Sequence, residues 1–104
     1  MHTLEKLAAT IVARATASGD ASYTAKLLAS GVEKCAKKFG EEAFELAMAA
    51  VLKDKNHTAN EAADVFYHLL VLLQAAGVSL DEVMQVLAAR EGTSGLVEKA
   101  NRNG

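Results

Sequence analysis

The 104 residues contain no proline, no tryptophan, one cysteine and one isoleucine. Without proline, no helical pattern is broken by a residue that lacks a backbone N–H and clashes with the preceding turn. The lone Cys35 excludes an internal disulfide and suits a reducing compartment. Aromatic residues, which favour strands, make up only 5%. Positive charge is not in excess: 11 basic against 13 acidic side chains give a net charge of -2, which lacks the basic balance of a general nucleic-acid binder. No apolar run is long enough to span a bilayer. The longest uncharged stretch, Val65 to Leu80, has 16 residues and contains His68, Gln74 and Gly77. The short apolar stretch at the N-terminus is interrupted by Arg14 and reads as a helix rather than a signal peptide. These absences predict a soluble cytoplasmic protein with neither a nucleic-acid nor a membrane partner.

What is present points one way. Hydrophobic residues make up 51%, too many for a disordered chain, and they include 21 Ala and 13 Leu. Both residue types favour helix, so the expected fold is all-α. A chain of this size buries roughly 65% of its extended surface, enough for one domain with a modest core. Alanine adds little to that core, so the missing burial is expected from a second copy, as a homodimer or higher oligomer.

Glycines punctuate a bundle of about five helices, a single domain over residues 1–104. The first runs from about Thr3 to Ser18, with Leu4, Leu7, Ala8, Ile11, Val12 and Ala15 on one face, and stops at Gly19. A short second follows Ser22, carries Leu27 and Leu28, and ends at Gly31. The third covers about Val32 to Lys53, with Gly40 inside it. Glycine there costs about 1 kcal/mol relative to alanine, which predicts a close backbone or ligand approach. The fourth runs from about Asn56 to Ala76 and stops at Gly77. The fifth opens at Ser79, where Ser79-x-x-Glu82 forms a capping box, and ends near Gly92. A polar tail from about residue 93 to residue 104 is expected to be loosely held.

At about 100° per residue, with Glu42 at zero, Phe39, Ala43, Leu46 and Ala50 form a core stripe on the third helix. Glu41, Glu42 and Glu45 occupy an adjoining arc of about 100°, together with Lys34 and Lys38. Phe44, Met48 and Leu52 cover the remaining side, so the second half of this helix should be buried on two sides. The fourth helix is nearly all apolar from Val65 to Leu73, with Tyr67 and His68 the polar exceptions. Glu61 and Asp64 project from one face of its first turns, and His68 follows on that face.

Two acidic clusters, Glu41-Glu42-x-x-Glu45 and Glu61-x-x-Asp64, lie on helices joined by a short loop. The helices should be antiparallel neighbours with the clusters at one level. Converging carboxylates repel unless something positive lies between them. A divalent cation is the simplest solution, and all-oxygen ligands select Mg²⁺, Mn²⁺ or Ca²⁺ over zinc. Lys34 and Lys38 beside the cluster suggest a Mg²⁺–polyphosphate site. The bland reading, a solvated acidic helix face, applies to either string alone and weakens when both converge. Thr58-x-x-Glu61 also fits a capping box that would occupy Glu61; a helix start near Asp54 or Asn56 leaves Glu61 free and is preferred. His68, four residues after Asp64, suits a supporting role to that carboxylate or a contact to phosphate. By the bland reading Tyr67 is packing, and Ser22, Tyr23 and Thr24 serve only to cap a helix. There is no Gly-rich phosphate loop and no dinucleotide fingerprint.

Ser22-Tyr23-Thr24, Leu27-Leu28, Gly31, Lys34, Lys38-x-Gly40-Glu41-Glu42-x-x-Glu45 and Glu61-Ala62-Ala63-Asp64-x-x-Tyr67-His68-Leu69-Leu70-Val71 resemble the phosphoribosyl-ATP pyrophosphohydrolase family. That family lies within the all-α NTP pyrophosphohydrolases, beside the MazG-type enzymes and dimeric dUTPases. The resemblance runs from about Thr3 to Arg90. It implies Mg²⁺-dependent hydrolysis of phosphoribosyl-ATP to phosphoribosyl-AMP and pyrophosphate, the second step of histidine biosynthesis. It implies Glu42, Glu45, Glu61 and Asp64 as metal ligands, with Glu41 an extra ligand or a water-orienting base. The mechanism expected is attack of water between the α and β phosphates. Glu41 or Glu45 would take the proton, and Lys34 and Lys38 would meet charge on the departing pyrophosphate. Tyr23 and Thr24 would line the nucleotide end. The alternatives are a MazG-type pyrophosphatase of ordinary or damaged nucleotides, and a helical dimerisation module with no catalysis.

Overall fold

The computed structural model describes residues 2–16 and 22–91. They form five helices: α1 (Thr3–Thr16), α2 (Tyr23–Ala29), α3 (Val32–Val51), α4 (Lys55–Ala76) and α5 (Leu80–Arg90). No strand occurs among the described residues, so the all-α expectation holds. The stops placed at Gly19 and Gly92 and the tail from 93 to 104 lie outside the described residues.

Local chemistry explains the helix ends. Ser22 caps α2 by accepting from the Ala25 N–H at 3.1 Å. Ser79 and Glu82 form the expected reciprocal box at the start of α5, at 3.1 and 2.7 Å. Asp54 caps α4 by accepting from the His57 N–H at 3.0 Å, and the Thr58 hydroxyl donates to the Asp54 carbonyl. The earlier start of α4 is therefore the one found, and Glu61 is not a capping residue. Gly77 takes a left-handed φ of 78° just past α4, with the Val78 N–H reaching back to the Leu73 carbonyl at 2.9 Å. The same closure ends α3, with Lys53 at φ 61° in the position glycine favours. The Lys53 N–H meets the Ala50 carbonyl at 3.0 Å, and the Asp54 N–H meets Ala49 at 3.4 Å. Helix α3 thus stops at Val51 rather than Lys53, because backbone closure ends it where no glycine marks the spot.

One buried cluster of Ile11, Leu27, Cys35, Leu70 and Val71 draws on α1 to α4, with Leu4, Leu7, Leu28, Tyr67, Leu72 and Leu80 packed against it. Each fully buried aliphatic side chain stabilises the fold by about 1.5–3 kcal/mol. The Cys35 thiol donates to the Leu27 carbonyl at 3.3 Å and so ties α3 to α2. Helices α3 and α4 form the dominant pairing, a hairpin that carries both acidic clusters.

The inward face of α3 differs from the expected stripe. Phe39, Ala43 and Leu46 are half-buried and Ala50 is exposed, while Cys35 and Ala49 are buried. Those two lie about 20° either side of Glu42, so the seam runs through the acidic arc itself. Small side chains at 35 and 49 permit this, while Ala43 and Ala62 are half-buried and Ala47 and Ala63 are exposed. The opposite side of α3 is uncovered. Phe44, Met48, Val51 and Leu52 are exposed, as is Phe66 on α4, so a single chain buries only one side of α3. Val12, placed on the core face of α1, is also exposed. Among the described residues nothing comes within 4 Å of where a Cβ on Gly40 would sit, so no approach by them accounts for that glycine.

Candidate active site

Because the α3–α4 seam passes through the acidic arc, Glu42 is half-buried between the two helices. The antiparallel hairpin brings Glu61 to the same level. One oxygen from each of Glu42, Glu45 and Glu61 lies within 4.8 Å of the other two. Burial pushes the Glu42 carboxyl up to about 7, and the charge and hydrogen bond of Glu45, then the charges of Asp64 and Glu61, act in the same sense. The Glu61 side chain is 14% exposed. Its Oε1 meets His57 Nε2 at 3.1 Å, while its Oε2 is buried with no hydrogen-bond partner. A buried oxygen without a partner is costly, and crowded carboxylates raise that cost. Both costs fall if a cation lies between them. The donor set is all oxygen, as hard divalent ions require, so the residues present fit such an ion.

The remaining predicted residues arrange themselves around this group. Asp64 is exposed one turn further along α4 and lies outside the three-carboxylate group, although its charge bears on Glu42. Glu41 is exposed and pairs with Lys38 at 3.5 Å. Tyr23 first, and then Glu41, hold the Lys38 ammonium above its usual range. Lys34 is exposed one turn before Lys38.

His68 is buried on α4 where that helix meets α2. Its ring stands edge-on to Tyr67 at 5.0 Å and to Tyr23 at 6.4 Å. The Tyr67 hydroxyl shares a hydrogen bond of 2.5 Å with the Thr24 hydroxyl. Thr24 therefore does more than start a helix: it pins α2 to α4. The His68 Nδ1 is buried without a partner. Burial first, and then Lys38, lower the His68 pKa, with Asp64 and Glu41 opposing. The net lowering leaves a neutral ring at pH 7. The charges of Lys38 and Asp64 thus bear on a ring that keeps a buried, unpartnered nitrogen.

Sequence reasoning passed over His57. Its spacing of four residues to Glu61 on one helix was a visible signal, because such pairs share a face. Cys35, read from the sequence only as excluding a disulfide, is buried with Ala49 along the seam that holds Glu42.

A model of the family described as phosphoribosyl-ATP pyrophosphohydrolase matches residues 4–91, a span that holds every acidic residue of the site. The chain belongs to this family. Phosphoribosyl-ATP pyrophosphatase from Cereibacter sphaeroides is 63% identical over 102 residues, covering 98% of this chain and 99% of its own. Phosphoribosyl-ATP pyrophosphatase 1 from Rhodopseudomonas palustris is 57% identical over 100 residues, covering 96% and 94%. Phosphoribosyl-ATP pyrophosphatase from Dinoroseobacter shibae is 57% identical over 102 residues, covering 98% and 100%. Membership of the phosphoribosyl-ATP pyrophosphohydrolase family accords with the motifs on α2, α3 and α4. No single described helix of this family member is long and apolar enough to cross a membrane.

Proposed function

We propose that this chain hydrolyses phosphoribosyl-ATP to phosphoribosyl-AMP and pyrophosphate, in the second step of histidine biosynthesis and in the cytoplasm. We assign Mg²⁺ as the cation. Two observations carry the metal: Glu61 has a buried, unpartnered Oε2, and its carboxylate offers an oxygen within 4.8 Å of one from Glu42 and one from Glu45. Glu42, Glu45 and Glu61 would hold the ion, with Asp64 as the fourth ligand. When bound, it supplies charge neutralisation for the polyphosphate and a more acidic water.

The chain's own groups do the rest. Water adds to phosphorus, and the anhydride bond between the α and β phosphates breaks. Glu45 or Glu41 accepts the proton that this water loses. Lys38 and Lys34 face the negative charge that gathers on the departing pyrophosphate. The Lys38–Glu41 pair is exposed and long at 3.5 Å, so substrate can draw the ammonium away at small cost. His68 Nδ1 offers a hydrogen-bonding position to substrate, and Tyr23 and Thr24 line the nucleotide end.

The working form is a homodimer or higher oligomer. Phe44, Val51 and Leu52 are 67%, 70% and 73% exposed on one side of α3, a patch that a lone soluble chain rarely displays. Gly40, which nothing among the described residues approaches, is one turn from Phe44 and gives a second copy room to come close.

The test is release of pyrophosphate from phosphoribosyl-ATP with and without Mg²⁺, beside ATP, dUTP and dCTP. Mg²⁺-dependent turnover that favours phosphoribosyl-ATP is expected. Faster turnover of an ordinary nucleotide would replace this substrate with those of the MazG-type enzymes.

A further inference from the structure

His57 stands at the third position of α4, and its ring reaches along the helix to Glu61. An ionised carboxylate can only accept, so the Nε2 of the 3.1 Å contact carries the hydrogen and donates to Oε1. One oxygen of Glu61 is thereby fixed. The other, Oε2, is left buried and without a hydrogen-bond partner. A carboxylate free to rotate would expose either oxygen or swing away from the crowded Glu42 and Glu45. The His57 contact removes that freedom. The ring itself is 56% exposed, so it adds little to the core.

We infer that His57 is a positioning residue: it holds Glu61 by Oε1 so that Oε2 is presented to the cation that Glu42, Glu45 and Glu61 share. The inference rests on the metal reading given above. A ligating carboxylate that is itself hydrogen-bonded loses less freedom on binding, and removing such a partner typically costs 10- to 100-fold in metal affinity. The bland alternative is an exposed helix pair four residues apart, which contributes a few tenths of a kcal/mol to helix stability and nothing to metal binding.

The experiment titrates the full chain with Mn²⁺, read by the electron paramagnetic resonance of the free ion, in the absence of substrate. His57→Ala should weaken Mn²⁺ binding by about tenfold or more. It should leave helicity by circular dichroism unchanged, because the Asp54 cap uses the backbone N–H of residue 57. His57→Gln, whose amide can donate across the same turn, should recover most of the affinity. Glu42→Gln serves as the reference for the site itself. If Glu42→Gln weakens Mn²⁺ binding while His57→Ala stays within twofold of the unaltered chain, the positioning role is overturned and the metal site stands. If neither substitution changes the affinity, or the unaltered chain binds no Mn²⁺, the metal reading fails and the role of His57 fails with it.

Discussion

The two sides of α3 reverse the usual rule of what a protein hides. The side turned toward α4 carries Glu42, half-buried beside Cys35 and Ala49. The side turned away carries Phe44, Val51 and Leu52, largely exposed. Charge is inside and large apolar groups are outside. Each side is unfavourable in an isolated chain, and each is relieved by a different kind of partner. A cation answers the inner side, and apolar surface from another copy answers the outer one.

The inner side is the more sensitive. Glu42→Gln and Asp64→Asn are each expected to lower pyrophosphate release from phosphoribosyl-ATP by at least about a hundredfold, with helicity intact. Unchanged rates in both would remove the metal from the comparison. The outer side should respond in mass rather than in chemistry. Val51→Asp puts a charge into the exposed patch and should shift the light-scattering mass from about 22 kDa to the 10.9 kDa of one chain. A mass near 10.9 kDa for the unaltered chain at micromolar concentration would mean that the outer side stays bare.

A smaller effect concerns pH. The Glu42 carboxyl lies at about 7 in the folded chain against an ordinary 4.5. Between those values the folded state binds more protons than the unfolded one. The stability that Glu42 gains from its proton is therefore fully present below about pH 4.5 and is lost as pH rises through 7. The Tm of the metal-free chain should fall by a few degrees from pH 5 to pH 7.5. Saturating Mg²⁺ should restore it, and Glu42→Gln should flatten the metal-free profile. A metal-free Tm that rises over this range would contradict the inward placement of Glu42. The smallest effect lies at the turn below both sides. Lys53→Gly relieves the left-handed backbone at φ 61° and should raise stability by about 0.5–1 kcal/mol in a urea titration, with activity unchanged.

The turn also shows where the sequence was readable. Helices α4 and α5 could be placed to within a residue or so at their starts and at Gly77, because Asp54, Ser79 and Gly77 have side chains, or a missing one, that act locally. The end of α3 was not readable, since Lys53 adopts a glycine conformation under the demand of backbone closure. The acidic residues were legible as two clusters at one level because helix geometry and a short loop determine height. Which of them converge was not, because that depends on how far α3 rotates about its own axis. Cys35 and Ala49 set that rotation by being small enough for α4 to approach, and periodicity alone gives no way to choose them over Leu46 and Ala43. The oxygen left unpartnered on Glu61 depends on a rotamer, and only coordinates could reveal it.

The corner around His68 has one more consequence. The chain has two tyrosines and no tryptophan, and both tyrosine rings stand nearly perpendicular to that one imidazole. The tyrosine emission of the whole protein therefore originates at a single place, where α2 is fastened to α4 by the hydroxyls of Thr24 and Tyr67. A nucleotide entering there, or α2 lifting away, changes the surroundings of both tyrosine rings at once. The protein carries its own optical reporter for this corner, with no other tyrosine and no tryptophan in the chain.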